Sequence, residues 1–175
     1  MGRDLKAAGL TITAGFELEW VVLTPNASGA PQPVIPGGPY GADRLIEGLD
    51  YASALLRALD AADLPWIQFH PEYGPSQFEL SFSPDSPLSV ADCLIRARLV
   101  IQRVTRQFDW FCSFSAKPRL DWVGNGGHLH FSVSDGRGPL LQGGNGIAGL
   151  RKEGEALIAG LLQRLPALIA LASPS

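Results

Sequence analysis

The first regular pattern in the chain is an alternation. Phe16, Leu18, Trp20 and Val22 alternate with Glu17, Glu19 and Val21, inside a β-branched and apolar stretch from Leu10 to Thr24. A period of two predicts a strand. A Gly/Pro/Asn loop runs from Pro25 to Gly41. Leu45, Leu49, Ala52, Leu56 and Leu59 then recur at steps of four, three, four and three, one stripe of an amphipathic helix that Pro65 ends. Trp66–His70 and Gln77–Phe82 read as short strands joined by the turn Pro71-Glu72-Tyr73-Gly74-Pro75. Ser89 with Asp92 has the form of a capping box before a long helix to about Phe108. Phe111 to Ala116 is a further strand, Gly124-Asn125-Gly126-Gly127 a tight loop, and His128–Val133 the strand after it. A second Gly-rich loop leads to a helix near Lys152–Arg164, and Pro166 starts or kinks a last helical turn.

The order is β, α, β, β, α, β, β, α. Strands joined by tight turns, with long helices between pairs, predict an α+β domain built on an antiparallel or mixed sheet. Length changes this picture only by limiting it: 175 residues make one ordinary domain. Hydrophobic residues at 46% and charged ones at 18% can bury a core, which excludes global disorder. A net charge of −3 without a basic run removes the electrostatic support for nucleic-acid binding. Cys93 and Cys112 form no CxxC or zinc-type cluster, so a reducing cytoplasm is the expected setting. No signal peptide is visible. The apolar stretch Ala156–Ala172, interrupted by Gln163, Arg164 and Pro166, is expected to be a core helix rather than a membrane span.

The candidate chemistry lies in the glutamates. Glu17 and Glu19 interrupt an apolar strand and, being two apart, leave the same face of the sheet. Glu79 lies between Phe78 and Leu80 in the same manner, with Gln77 beside it, and Glu72 occupies the turn just before. His128 and His130 are again two apart and share a face with Ser132. Taken singly, Glu-x-Glu is the ordinary pattern of an exposed sheet face, and His-x-His is often half-buried without function. Several carboxylates and imidazoles on one surface repel unless a cation sits among them. Carboxylate oxygens suit Mg²⁺ or Mn²⁺, and an imidazole tilts the balance toward Mn²⁺. The residues by themselves stop at a divalent-metal site on a sheet.

Four segments in order carry a family resemblance. Gly15-Phe16-Glu17-Leu18-Glu19-Trp20 is similar to the first catalytic strand of the glutamine synthetase family. Phe69-His70-Pro71-Glu72-Tyr73-Gly74-Pro75-Ser76-Gln77-Phe78-Glu79 resembles its signature of a glutamate before a Gly/Pro turn and a Gln-x-Glu pair. Asp85-x-Pro-Leu-x-x-Ala-Asp92 fits the stretch between. Lys117-Pro118, then Gly124-Asn125-Gly126-Gly127-His128-Leu129-His130-Phe131-Ser132, resembles its K-P…N-G…H-x-H-x-S segment. The resemblance implies a curved, mainly antiparallel sheet with long helices on its outer face, and two or more Mg²⁺ or Mn²⁺ ions. By resemblance, Glu19, Glu72 and Glu79 match the ligands of one ion, and Glu17 and His128 ligands of the ion that bridges the nucleotide phosphates. His130 and Ser132 match nucleotide contacts, and Asn125 and Gly126 the loop touching the amino-acid substrate. No catalytic side chain is assigned.

The reaction so implied is ATP-dependent: a glutamate γ-carboxylate is activated as an acyl phosphate, and ammonia or another amine displaces phosphate. Family members are homo-oligomers. The loop Asn125-Gly126-Gly127-His128 is shorter than the common family form, which together with the Phe-His-Pro-Glu-Tyr-Gly-Pro stretch looks more like divergent paralogues that ligate polyamines or other amines. The small N-terminal domain and the arginine-rich last third of the catalytic domain have no counterpart in residues 1–175. The expectation is therefore a partial catalytic domain, incomplete at the C-terminus and inactive alone. The alternatives are a remnant that binds metal or nucleotide, and a metal-dependent hydrolase with no need for ATP.

Overall fold

The computed structural model describes residues 2–172, which divide into two compact units: 15–130, and 2–14 together with 131–172. The larger unit is built on β1 (Thr11–Pro25) and β6 (Gly127–Asp135), each of which runs on into the smaller unit. β3 (Trp66–Pro71) and β4 (Gln77–Phe82) form an antiparallel hairpin, and the order across the sheet is β3-β4-β1-β6. Two short strands, β2 (Pro31–Pro33) and β5 (Phe111–Ser113), add antiparallel pairs to the far end of β1.

The register explains the two faces. Glu17 lies opposite Ser81, Leu18 opposite Leu80, Glu19 opposite Glu79, Trp20 opposite Phe78 and Val21 opposite Gln77. Apolar side chains therefore meet on one face and polar ones on the other, because pleating alternates the direction of successive side chains. On the apolar face, Leu18, Trp20, Val22, Phe78, Leu80 and Phe82 pack against two helices. α3 (Leu49–Ala61) contributes Tyr51, Leu55 and Leu59, and α4 (Pro87–Gln107) contributes Cys93, Ala97, Ile101 and Val104. The buried polar atoms of this layer form one chain. Trp20 Nε1 donates to the Tyr51 hydroxyl at 3.1 Å, that hydroxyl to Thr105 Oγ1 at 3.0 Å, and Thr105 to the Ile101 carbonyl at 2.7 Å. Each donor is thereby satisfied, as burial requires.

The antiparallel sheet with helices on one face fits the expected α+β class. Several details differ. The helix expected between Gly41 and Pro65 is two helices, α2 (Ala42–Glu47) and α3, parted at Gly48. Gly48 is buried against Ile35, whose side chain a Cβ there would meet at 3.3 Å. The buried stripe is Tyr51, Ala52, Leu55 and Leu59, while Leu45 and Leu49 are exposed. Ser86 rather than Ser89 caps α4: its hydroxyl accepts from the Ser89 N–H, and Pro87 opens the helix. The strand expected from Phe111 to Ala116 stops pairing at Ser113.

In the smaller unit, α1 (Gly2–Ala7) precedes β1, and β6 turns into β7 (Gly138–Pro139). α5 (Lys152–Gln163) and α6 (Leu165–Ala172) follow, with the break where Pro166 was expected to interrupt. The expectation of a core helix here fails, since no described residue of α6 is buried. Among the described residues no single helix is long and apolar enough to cross a membrane. Asp135, at the end of β6, accepts from Arg151 Nη1 at 2.9 Å, Arg137 Nη2 at 3.0 Å and the Arg137 N–H at 2.8 Å. Arg151 foremost, and then Arg137, hold its carboxyl well below the usual carboxylate range.

Two outcomes follow from this packing. Ser76 is fully buried at φ 54°, where its hydroxyl accepts from the Val34 and Ile35 N–H groups at 2.9 and 2.7 Å. Ser76→Ala strands both donors and costs about 1–3 kcal/mol, read as a lower urea midpoint at unchanged slope. Asp135 binds its proton less readily folded than unfolded, so its contribution is full above its ordinary value of 3.8 and is lost as pH falls through the folded value. Asp135→Asn should lower stability at pH 6 and flatten the loss below pH 3.8 in urea titrations run across pH.

Candidate metal centre

The polar face of the larger unit gathers the residues singled out in the sequence. β1 presents Glu17 and Glu19, β4 presents Gln77 and Glu79, the β3–β4 turn presents Glu72, and the start of β6 presents His128 and His130. Two three-residue groups have ligand atoms that all lie within 4.8 Å of one another: Glu17, Glu79 and His128, and His70, Glu72 and Glu79. Glu79 belongs to both.

Within the first group Glu17 sits between two imidazoles, 2.8 Å from His128 Nδ1 and 3.2 Å from His130 Nε2. The hydrogen bond from His128 lowers the proton affinity of Glu17, and the same bond raises that of His128. Glu79 is shifted the other way. Burial comes first and the neighbouring Glu17 charge second, and both raise its proton affinity. The Glu79 side chain is 10% exposed, and no hydrogen bond from a described residue reaches its carboxylate.

Glu19 stands beside these groups and is held differently. Its Oε2 accepts from Gln77 Nε2 at 2.8 Å and from the Gly126 N–H at 2.8 Å. Gly126 allows this close approach, because a Cβ would push against Glu19 Oε1 and lie 2.8 Å from His128 Nε2, so both side chains would have to shift. Gln77 also donates to the Gly124 carbonyl at 2.9 Å and to Asn125 Oδ1 at 3.0 Å, while its Oε1 accepts from the Gly74 N–H at 2.7 Å. The Asn125 amide donates to the Ser113 and Ser115 carbonyls at 3.0 and 2.9 Å. Asn125 and Gly126 thus join the loop to the sheet. Ser132 is half-buried on the part of β6 that belongs to the smaller unit.

Three neighbours were not picked out in the sequence as site residues. His70 lies opposite Glu79 in the strand register, 3.4 Å from it through Nε2, and its Nδ1 is 3.8 Å from Glu72. Arg44 is buried, and its guanidinium donates to the Glu72 and Gly37 carbonyls, clamping the turn that carries Glu72. Gly37, at φ 118°, lets the start of α2 pack close, since a Cβ would lie 2.6 Å from the Arg44 backbone nitrogen. Tyr40 meets Tyr73 edge to face at 6.2 Å, and the Glu72 charge raises the proton affinity of its phenol. The two-residue spacing of His70 and Glu72 was the signal available for His70.

A cavity of about 490 Å³ lies elsewhere, in the smaller unit, lined in part by Arg137, Arg151, Lys152 and Glu153. Its arginines are already paired with Asp135 and Glu153. The chemistry and this hollow are therefore in different places, and the convergence of ligand-type side chains is the better guide to function.

Comparison with known proteins identifies the family. Over 168 residues the chain is 41% identical to the gamma-glutamylpolyamine synthetase GlnA3 of Streptomyces coelicolor, covering 95% of this chain and 36% of that protein. It is 29% identical over 177 residues to the glutamine synthetase of Thermotoga maritima, covering 100% of this chain and 40% of the relative. A crystal structure described as a novel glutamine synthase homolog superposes with a TM-score of 0.87 at 30% identity, covering 99% of this chain and 39% of the other. The chain thus spans 36% and 40% of the lengths of these two curated relatives. Residues 2–175 match the glutamine synthetase catalytic domain, and the chain belongs to that family.

Proposed function

We propose that this chain carries the metal-holding part of an ATP-dependent carboxylate–amine ligase acting on glutamate. The observation that carries the reading is the shared face of Glu17, Glu72, Glu79 and His128, drawn from two strands, a turn and a third strand onto one surface. Hard carboxylate oxygens with one or two imidazoles fit Mg²⁺ or Mn²⁺. Glu79 supports that fit: a buried carboxylate without a hydrogen-bond donor is costly as an anion unless a cation faces it. Glu17, Glu72, Glu79 and His128 would hold the ions, with Glu19 next to them and His130 toward the nucleotide. Bound divalent ions supply charge neutralisation and Lewis acidity on phosphate oxygens.

In this reading a γ-carboxylate oxygen of glutamate attacks the terminal phosphorus of ATP, and ADP leaves. The nitrogen of ammonia or an amine then attacks the acyl carbon, and phosphate leaves. The relative at 41% identity is a gamma-glutamylpolyamine synthetase, which favours an alkylamine over ammonia as the acceptor. The protein's own residues position the site: Gln77 and Gly126 hold Glu19, Arg44 holds the turn of Glu72, and His130 flanks Glu17.

A second reading, a module that binds metal and nucleotide without turnover, rests on a specific absence. Among the described residues no hydrogen bond or ion pair joins an arginine side chain to the carboxylates of Glu17, Glu19, Glu72 or Glu79. Arg119 is spent on Asp121 and Arg98 lies over Phe114. Arginine placed on transferring phosphate is worth ~10³–10⁵ in rate. Residues 1–175 alone are therefore expected to bind far better than they turn over.

The metal reading is tested by thermal melts. A cation that binds only the folded chain stabilises it by about 2.7 kcal/mol at a free concentration of about 100 times its Kd. Mn²⁺ should raise the melting temperature by several degrees. Glu79→Gln, which removes the buried charge, should raise the metal-free melting temperature at pH 7.5 and abolish the Mn²⁺ response. A wild-type melt indifferent to millimolar Mn²⁺ sinks the reading. The ligase reading is tested by phosphate release from MgATP with glutamate and either ammonium or putrescine. Release that requires both glutamate and amine, and is lost in Glu17→Ala, is the expected behaviour of an active ligase that contains this chain. Nucleotide binding to the 175 residues without release supports the second reading for this stretch, and metal-dependent hydrolysis of an amide substrate with ATP left out would instead favour the hydrolase.

A further inference from the structure

We propose that the outward face of α4 is a docking surface for an amphipathic helix of a partner protein, one that flanks its own apolar stripe with carboxylates. This surface lies beyond the helix layer, away from the polar face of the sheet, and needs neither metal nor nucleotide.

The residue pattern of α4 leads to it. Toward the sheet, Val90, Cys93, Ala97, Ile101 and Val104 are buried. A helix that packs on one side alone carries polar residues on the other. On the opposite side of α4, Leu88, Asp92, Ile95, Leu99, Gln102 and Arg106 recur at steps of four, three, four, three and four. Leu88, Ile95 and Leu99 are 73%, 57% and 61% exposed. With about 100° of rotation per residue, these three lie within about 40° of one another around the helix axis. Exposed apolar residues scattered over a surface are ordinary. Three in one file, at alternating steps of four and three, form the kind of seam by which one helix seats against another.

The file ends in a recess. Gln102 and Arg106 of α4, with Phe111 and Cys112 of β5, line a hollow of about 220 Å³. Small-molecule pockets usually begin at roughly 300 Å³, and this one suits a single side chain of a docked helix.

Charge selects the partner. α4 carries Arg96, Arg98, Arg103 and Arg106 against one acidic residue, Asp92, in a chain whose net charge is −3. Arg96 and Arg103 border the file on one side and Arg98 on the other, by the same rotation per residue. Arg96 donates to the Ala62 carbonyl, and Arg98 lies over the Phe114 ring at 4.7 Å. Among the described residues no carboxylate pairs with any of the four. The complement of an apolar file with basic borders is a helix of leucines bordered by glutamates. A second copy of α4 would set arginines against arginines. Nucleic acid would answer the arginines and leave the leucines wet, and a flat anionic membrane would leave the recess unfilled.

The probes are two synthetic peptides of about 20 residues, with leucines at alternating steps of three and four. One has glutamates on its flanks, and its twin has lysines there. Fluorescence anisotropy with the 175-residue chain should show the glutamate peptide bound at least about 10-fold more tightly than its twin, the gap narrowing as salt rises. Ile95→Ser/Leu99→Ser should weaken that binding by about 10-fold or more. Arg103→Glu/Arg106→Glu should reverse the preference, so that the lysine peptide becomes the tighter ligand. Circular dichroism melts check that each variant folds. Should the serine pair fold poorly, the charge-reversed pair decides alone, since unfolding cannot reverse a preference. Equal binding of the two peptides, no binding of the glutamate peptide, or binding untouched by Ile95→Ser/Leu99→Ser in a folded variant overturns the proposal. So does a dimer in sedimentation velocity that Leu99→Glu disperses, which gives the face to a second copy. Cosedimentation with phosphatidylserine vesicles, without binding of the glutamate peptide, overturns it in favour of lipid.

Discussion

The side-chain amide of Gln77 is the junction on which the polar face depends. It is almost completely buried, yet it touches three separate stretches of chain: the Gly74 turn, Glu19 on β1, and the loop at Gly124 and Asn125. Its Nε2 has two hydrogens and three acceptors within 3.0 Å, so the contacts share donors. Asn125 extends the junction to the carbonyls of Ser113 and Ser115. Loss of this amide would leave Glu19 with one donor and free the loop whose end carries His128. Buried networks of this kind are valuable only while every member is satisfied.

Charge explains why so much support is needed. Glu17, Glu19, Glu72 and Glu79 repel one another, and the structure offsets this in different ways for each. Glu17 has two imidazoles, Glu19 has two N–H donors, and Glu72 accepts from the Tyr73 N–H at 2.8 Å. Glu79 has least, and its raised proton affinity reports that imbalance. Because Glu79 is common to both three-residue groups, whatever neutralises it from one side changes the environment of the other. Two sites that share a charged group are coupled, and linkage makes that coupling reciprocal.

Much of this was legible in the residues. The alternation of Phe16 to Val22 gave β1 and its faces, and the boundaries of Gln77–Phe82 match β4 because a Gly/Pro turn ends one strand and Pro84 follows the other. Period two put Glu17 with Glu19, and His128 with His130, on one face of each strand, while the family resemblance joined Glu72 and Glu79 to them. What was not legible depended on contacts between distant segments. The break at Gly48 is set by Ile35 lying against it, and nothing in the leucine spacing reports that. Choosing Ser86 over Ser89 as the cap needed attention to Pro87, which favours the first helical position. The spacing of His70 from Glu72 hinted at its place in the site, but its nearness to Glu79 is set by the register across β3 and β4. The apolar content of α6 suggested burial, and composition does not say whether a partner surface covers it.

β1 and β4 carry two incompatible chemistries on alternate residues, with Trp20 and Phe78 fully buried on one side and Glu19 and Glu79 on the other. This makes the count of residues within each strand a quantity with parity. Inserting or deleting one residue between Glu17 and Val22 would turn carboxylates into the aromatic layer and an indole toward the ions, exchanging core for site along the rest of the strand. A change of two residues keeps each side chain on its own face and alters only which partner it meets. Length changes within these strands that keep both faces are thus confined to even steps or to bulges, whereas the turns and loops between them bear no such parity.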